Sequence, residues 1–178
     1  CENGNLEFAS GLTASTYQWQ QDKGSGFAAI SDNANFSGTR TATLRLTNVP
    51  FSWLGYRYRC VTGTPNKAVY QLQMNRNVVP SVSIATEKTT VCYGLPVIFY
   101  STAFNAGDNP GYRWLINNLP ADSGFNFLHS FPKNGDVVTL QLSSSVSCPT
   151  PAIVTSNAIT MDVTEEPVIT ADGFTLTI

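Results

Sequence analysis

The chain has 178 residues, of which only 12% are charged, and its net charge is −2. Soluble proteins carry about 25% charged residues, so Ser, Thr, Asn and Gln must cover much of this surface. Ten scattered Lys and Arg exclude a binder that tracks nucleic-acid phosphates, which needs a basic stripe, and no apolar run reaches the ~18 residues of a spanning helix.

Leu6 and Phe8 alternate with polar neighbours, as do Tyr17 and Trp19 in the next predicted strand. Gly24-Ser25-Gly26 is a turn, Phe27 to Ile30 continues the sheet, and Ser31 to Gly38 is a polar loop. Ala42, Leu44 and Leu46 form a period-2 strand with Thr43, Arg45 and Thr47 outward. Asn48 to Gly55 is a corner, after which Tyr56, Tyr58 and Cys60 alternate against Arg57, Arg59 and Val61. Tyr70, Leu72 and Met74 close a first unit, and Val78-Val79-Pro80 reads as a short, stiff linker. The layout then recurs. Val82 and Ile84 open it, Val97 and Phe99 match Leu6 and Phe8, and Tyr112, Trp114 and Ile116 match the Trp19 strand. Val138, Leu140 and Leu142 follow the Asn134-Gly135-Asp136 corner, and Ile159, Met161 and Val163 close the second unit. After Glu165-Glu166-Pro167, residues 168–178 read as two short strands around Asp172-Gly173. No segment keeps a 3.6-residue period long enough for a helix.

One pattern therefore occurs twice: Cys1, Phe8, Tyr17-Gln18-Trp19, Cys60, and then Cys92, Phe99, Tyr112-Arg113-Trp114, Cys148. Self-similarity on this scale means tandem modules. Cys, Trp and Cys among short alternating strands point to an all-β protein of two tandem immunoglobulin-like β-sandwiches, with the start of a third repeat. The expected boundaries are 1–78, 79–164 and 165–178. Four cysteines without CxxC spacing favour disulfides over zinc and an oxidising compartment. They allow three pairings, of which one bridge per module, Cys1–Cys60 and Cys92–Cys148, is the economical one. Cys1 has a second reading as the lipidated residue of a bacterial lipoprotein. There is no signal-peptide pattern, as expected of a mature or excised segment.

Several stretches resemble a bacterial repeat family. In the first unit they are Tyr17-Gln18-Trp19-Gln20, Ser37-Gly38, Ala42 to Val49 and Gly55 to Val61. These are similar to Ig-like repeats of large surface adhesins exported by the type IX secretion pathway. Val91 to Gly94, Asn109 to Trp114, Asn134 to Val138 and Thr155 to Thr160 resemble a companion, PKD-like repeat. The resemblance covers residues 1–164. It implies an extracellular or outer-surface segment that spaces or presents a binding region, with neighbouring repeats of the same chain as its first partners. Tyr58, two residues before Cys60, is placed to make the tyrosine corner of immunoglobulin domains, whereas Val146 stands at that offset from Cys148.

Trp19, Trp114, Tyr58, Phe8 and Phe99 are read as core. Trp53, in the corner Pro50 to Leu54, either caps the base of the core or stands exposed to stack on a sugar or a neighbouring module. Trp53, Phe104 and Tyr93 are the candidate contacts for a surface glycan or protein. His129 is the only histidine, and no nucleophile motif accompanies it, so no catalysis is expected. Asp32, Asn33, Asn35, Asp108-Asn109 and Asp122-Ser123 read as turn formers, since calcium needs about six to eight converging oxygens. The best calcium candidate is Glu165-Glu166; no other cofactor is expected. Non-catalytic adhesin segment is the leading function. Glycan- or protein-binding module, or accessory domain of a secreted polysaccharide-degrading enzyme, are the alternatives.

Overall fold

The computed structural model describes residues 1–63, 68–164, 168–171 and 174–177, with side chains through residue 164. The chain divides into two compact units, Cys1–Asn77 and Val78–Ile178. Each is a β-sandwich with its own core.

In the first unit, β1 (Gly4–Ala9), β5 (Thr43–Val49) and β4 (Phe36–Ser37) form one sheet in the order β1-β5-β4. The facing sheet orders β3 (Phe27–Ala29), β2 (Gln18–Asp22), β6 (Arg57–Val61) and β7 (Val69–Gln71). Alternation decides what lies between them. Leu44 and Leu46 of β5, Trp19 of β2 and Tyr58 and Cys60 of β6 point inward and are almost fully buried. Phe8 and Leu6 of β1 pack against that cluster but are only half-buried. Outward, Glu7 sits opposite Arg45 and pairs with it at 2.8 Å. The stretch expected as a polar loop holds a two-residue strand whose Phe36 is buried. Asn33 Oδ1 accepts the N–H groups of Asn35 and Phe36, so an Asx turn aims that ring inward. Gly38, at φ +72°, closes the same loop. A Cβ there would collide with the Thr43 carbonyl, so only glycine fits.

In the second unit, β8 (Ser81–Thr86), β10 (Val97–Phe104) and β13 (Phe127–His129) form a sheet in the order β13-β10-β8. Opposite it run β12 (Leu119–Asp122), β11 (Gly111–Ile116), β14 (Val137–Ser143) and β15 (Ile153–Thr155), with β16 (Ile159–Thr160) also on β14. Asn117 and Asn118, at φ +52° and +65°, make the tight β11–β12 turn that Asn tolerates. A parallel pair of β9 (Thr90–Cys92) and β17 (Asp162–Thr164) closes the side of the sandwich. Phe99, Trp114, Val138, Leu140 and Met161 form the centre of this core. Val78 donates to Cys148 O and accepts from Thr150 N, and Asn105 Nδ2 donates to Val79 O. The expected linker residues are thus hydrogen-bonded into this unit. Finally, β18 (Val168–Ala171) and β19 (Phe174–Thr177) form a hairpin of their own. The junction Glu165-Glu166-Pro167 and the Asp172-Gly173 turn lie outside the described residues.

The cysteine pairing differs from the expected one. Cys60 and Cys92 carry free thiols, whereas Cys1 and Cys148 are disulfide-bonded. Neither Cys1–Cys60 nor Cys92–Cys148 forms, and register explains why. Cys60 lies opposite Trp19, near the Thr39–Thr41 end of its sandwich. Cys1 lies at the other end, where Asn3 N–H donates to Val49 O and Glu2 N–H to Asn75 O. In the second unit the residue opposite Trp114 is Leu140, not a cysteine. Cys148 lies beyond the end of β14, beside Val78, and Cys92 sits before the start of β10 at the opposite end. The eight residues of β10 separate the two ends by ~26 Å at about 3.3 Å per residue, far beyond disulfide reach. A disulfide also occupies the Cys1 sulfur on which the lipoprotein reading depends. Burial pushes the Cys60 thiol above its ordinary pKa, while Cys92 is exposed. A thiol reagent is therefore expected to modify Cys92 at once and Cys60 only on unfolding. Equal rates for the two in native protein would contradict this placement.

Tyr58 makes no tyrosine corner. It is paired in register with Gln21 of β2, whose Nε2 donates to Tyr58 Oη at 2.8 Å. Burial raises the phenol to about 12. Tyr17 does clasp backbone: its hydroxyl donates to Leu12 O and accepts from Ala14 N.

Candidate binding surface

The three aromatic candidates are divided between the units, Trp53 in the first and Tyr93 and Phe104 in the second. Trp53 ends a 3-10 turn, Phe51–Trp53, that follows Pro50. Its ring stacks on Phe36 at 5.1 Å and on Tyr56 at 6.1 Å, at interplanar angles of 14° and 18°. The ring is thereby held by two aromatic neighbours, and it packs, partly buried, against the first core. Tyr93 and Phe104 are exposed, at 68% and 66%. They stand before and at the end of β10, on opposite ends of the second unit. Trp19, Trp114, Tyr58 and Phe99 are all buried. Trp19 Nε1 donates to Thr41 O and Trp114 Nε1 to Gly124 O, which removes the one polar atom of each indole from competition.

A larger surface surrounds Phe104. Val97, Phe99 and Ser101 of β10 face the core, so Ile98, Tyr100 and Phe104 face outward, and all three are exposed. Leu128 of β13 lies directly opposite Ile98 and is exposed too. Beside them is a shallow cavity of about 200 Å³ whose lining includes Lys88, Val91, Pro96, Ile98 and Tyr100. The corresponding outward position in the first unit is the Glu7–Arg45 ion pair. The signal in the sequence was the unbroken apolar run Pro96 to Tyr100, because a strand with one wet face should alternate.

The first unit presents a polar face instead. Arg59 lies 4.1 Å and Arg57 5.7 Å from the Phe27 ring centroid, and Arg59 Nε donates to Gln20 Oε1. Arg57 also pairs with the carboxylate of Asp22. The N–H groups of Gly24 and Gly26, ahead of Arg57, hold Asp22 below its ordinary pKa. These cations are spent on neighbours within the sheet.

His129 and Asp136 are buried, with His129 Nε2 3.0 Å from Asp136 Oδ2. Lys133 N–H donates to the same oxygen, and Asn117 Nδ2 to the other. Burial opposes ionisation of Asp136, but these donors outweigh it and the pKa falls below the usual value. The cluster ties the corner before β14 to the β11–β12 turn. Asp32 likewise accepts from Thr39 N–H and Oγ1, and Asp122 from Ser123 N–H; these are turn contacts. Among the described residues no three His, Cys, Asp or Glu side chains gather as a metal site. Glu165-Glu166, the calcium candidate, lies outside the described residues. No helix among the described residues is long and apolar enough to cross a membrane.

No family model matches the chain, and no curated protein matches it. Solved structures do. Murine CEACAM1b is 14% identical, over 92% of this chain and 94% of that one, with a TM-score of 0.47. A chain from the crystal structure of a mouse coronavirus receptor-binding domain complexed with its murine receptor is 13% identical, over 92% and 94%, with a TM-score of 0.50. The amphioxus IgVJ-C2 molecule is 15% identical, over 90% and 97%, with a TM-score of 0.36. At such identities the likeness is one of fold: tandem immunoglobulin-like sandwiches.

Proposed function

We propose that this chain is a non-catalytic repeat segment of a secreted or surface-attached bacterial adhesin-like protein, and that it spaces or presents a binding region. The observation that carries this reading is the serial architecture: two sandwiches, each closed around its own aromatic core. Titratable groups in the interior are occupied in structural contacts, as Asp136 is by three donors. Disulfide-bonded cysteines fit an oxidising, extracytoplasmic location. Residues 165–178 are assigned to the opening of a further repeat, because the chain crosses Glu166-Pro167 after Val163 as it crosses Val79-Pro80 after Met74. Antibodies raised against the 178-residue chain should label intact producing cells as strongly as permeabilised ones. Labelling that requires permeabilisation would sink the reading.

A second reading, a glycan- or protein-binding module, is favoured by the exposed Ile98, Tyr100, Phe104 and Leu128 face. Exposed aromatic and aliphatic patches of this kind mark interaction sites. A Tyr100→Ala, Phe104→Ala double variant should lose any ligand found on a glycan array or by protein capture while keeping its melting temperature. Retained binding would remove this face from consideration.

A further inference from the structure

The outward face of the β13-β10-β8 sheet sets aromatic residues beside small ones. Tyr100, Thr102 and Phe104 of β10 point away from the core and are exposed. On β8, Ala85 stands opposite Tyr100, Ser83 opposite Thr102 and Ser81 opposite Phe104. These partners are exposed as well, and directly opposite residues share a face of the sheet. Each ring of β10 therefore has a low shelf beside it instead of a bulky neighbour. Ile98 and Leu128, paired across β10 and β13, extend the apolar surface. No Asp, Glu, Lys or Arg occurs in any of the three strands, and His129 of β13 is buried. The corresponding sheet of the first unit turns the Glu7–Arg45 pair outward, so the sandwich itself does not demand an uncharged face.

Charge and area narrow the occupant. A charged ligand laid on this face would lose hydration and meet no counter-charge, which disfavours nucleic acids, acidic peptides and uronic-acid glycans. The eight residues of β10 and the three strands of the sheet span about 26 by 14 Å, at about 3.3 Å per residue and 4.8 Å per strand. That is roughly 380 Å² in plan, under half of the ~800 Å² that each partner buries in a stable protein–protein contact. A single extended chain fits such a strip better than a second folded surface. Tyr100 and Phe104 are four residues apart on one strand, hence about 13 Å apart, so more than one ligand unit is needed to reach both rings. Sugar rings present apolar C–H faces to aromatic side chains and hydroxyls at their edges. The hydroxyls of Ser81, Ser83, Thr102 and Tyr100 lie beside the aromatic rings to meet them.

On the reading that this face is a binding surface, we infer that its ligand is an uncharged, extended polysaccharide lying along β10. Its sugar rings stack on Tyr100 and Phe104, and its hydroxyls meet the Ser81–Ser83 shelf.

Affinity electrophoresis of the 178-residue chain in gels cast with single polysaccharides tests this. Xyloglucan, glucomannan and laminarin are the neutral probes, and alginate and polygalacturonate the acidic ones. At least one neutral probe should retard the chain, neither acidic probe should, and added salt should leave the retardation unchanged. Tyr100→Ala and Phe104→Ala should each weaken it roughly tenfold, the loss of one aromatic contact and its buried area. Ser83→Lys keeps both rings but obstructs the shelf, so it should weaken binding too. All three positions are exposed, and an unchanged melting temperature verifies that each variant folds. In calorimetry, oligosaccharides of the retarding probe should bind more tightly with length until both rings are covered. A chain that no neutral probe retards overturns the proposal, as does retardation that all three variants retain. Retardation by the acidic probes alone, lost in Tyr100→Ala, would overturn the neutral ligand and leave the face a binding surface. Self-association in sedimentation velocity that Tyr100→Ala abolishes would overturn the polysaccharide and assign the face to a second copy.

Discussion

Trp114→Ala is expected to unfold the second sandwich while the first stays folded. Trp114 is fully buried, within 5.5 Å of the Phe127 ring and 6.2 Å of Phe99, and its indole N–H bonds Gly124 O. Truncating a buried Trp costs about 3–5 kcal/mol through lost transfer energy and the cavity left behind. A domain of this size has only about 5–15 kcal/mol in total. Trp19→Ala should do the same to the first sandwich, where it frees Thr41 O and removes the aromatic contact with Phe8 at 6.4 Å. Calorimetry that resolves two transitions would show one of them lowered by each variant. A Trp114→Ala protein with both transitions unchanged would place that residue outside the core.

The second large effect belongs to Asp136. Asp136→Ala should destabilise the second unit by about 3–5 kcal/mol, the usual cost of removing one partner of a buried charged cluster. It leaves Lys133 N–H, the Asn117 amide and His129 Nε2 without their acceptor, and an unsatisfied buried group costs about 1–3 kcal/mol. The pH dependence has a definite sign. The folded pKa is depressed, so the stabilisation is complete above the unfolded carboxylate value of about 3.9. It fades as pH falls from there through the folded pKa. Asp136→Asn should flatten acid unfolding of the second unit between pH 5 and pH 2, a range set by these carboxylate values. An acid limb identical to that of the native chain would show that Asp136 contributes no pH-linked stability.

The aromatic pattern made the fold legible. Leu44 and Leu46, Trp19, Phe99, Trp114, Leu140 and Leu142 lie on period-2 strands, and alternation alone assigns them to an interior. Their burial follows. The signature repeated, so the tandem arrangement was legible as well. Where reading failed, it failed on register. Cys60 and Cys148 looked equivalent because each is the second cysteine of its copy. Equivalence in a sheet is a matter of which residue stands opposite which, and there Trp19 faces Cys60 while Trp114 faces Leu140. Tyr58 looked like a corner tyrosine, yet its hydroxyl meets the Gln21 side chain because β2 and β6 place those residues side by side.

By itself the sequence determined that the protein is all-β, that it is built of tandem immunoglobulin-like sandwiches, and which residues carry apolar bulk at strand spacing. These properties depend on local periodicity and on residue volume, both of which are written along the chain. Only the tertiary structure decided the rest. It separated Cys92 from Cys148 by the length of β10, enclosed Cys60 as a thiol, and stacked Trp53 onto Phe36. It also turned Ile98, Tyr100 and Phe104 outward. Each of these depends on strand order and on which ends meet, contacts between residues far apart in the chain, and no local pattern encodes the choice of partner.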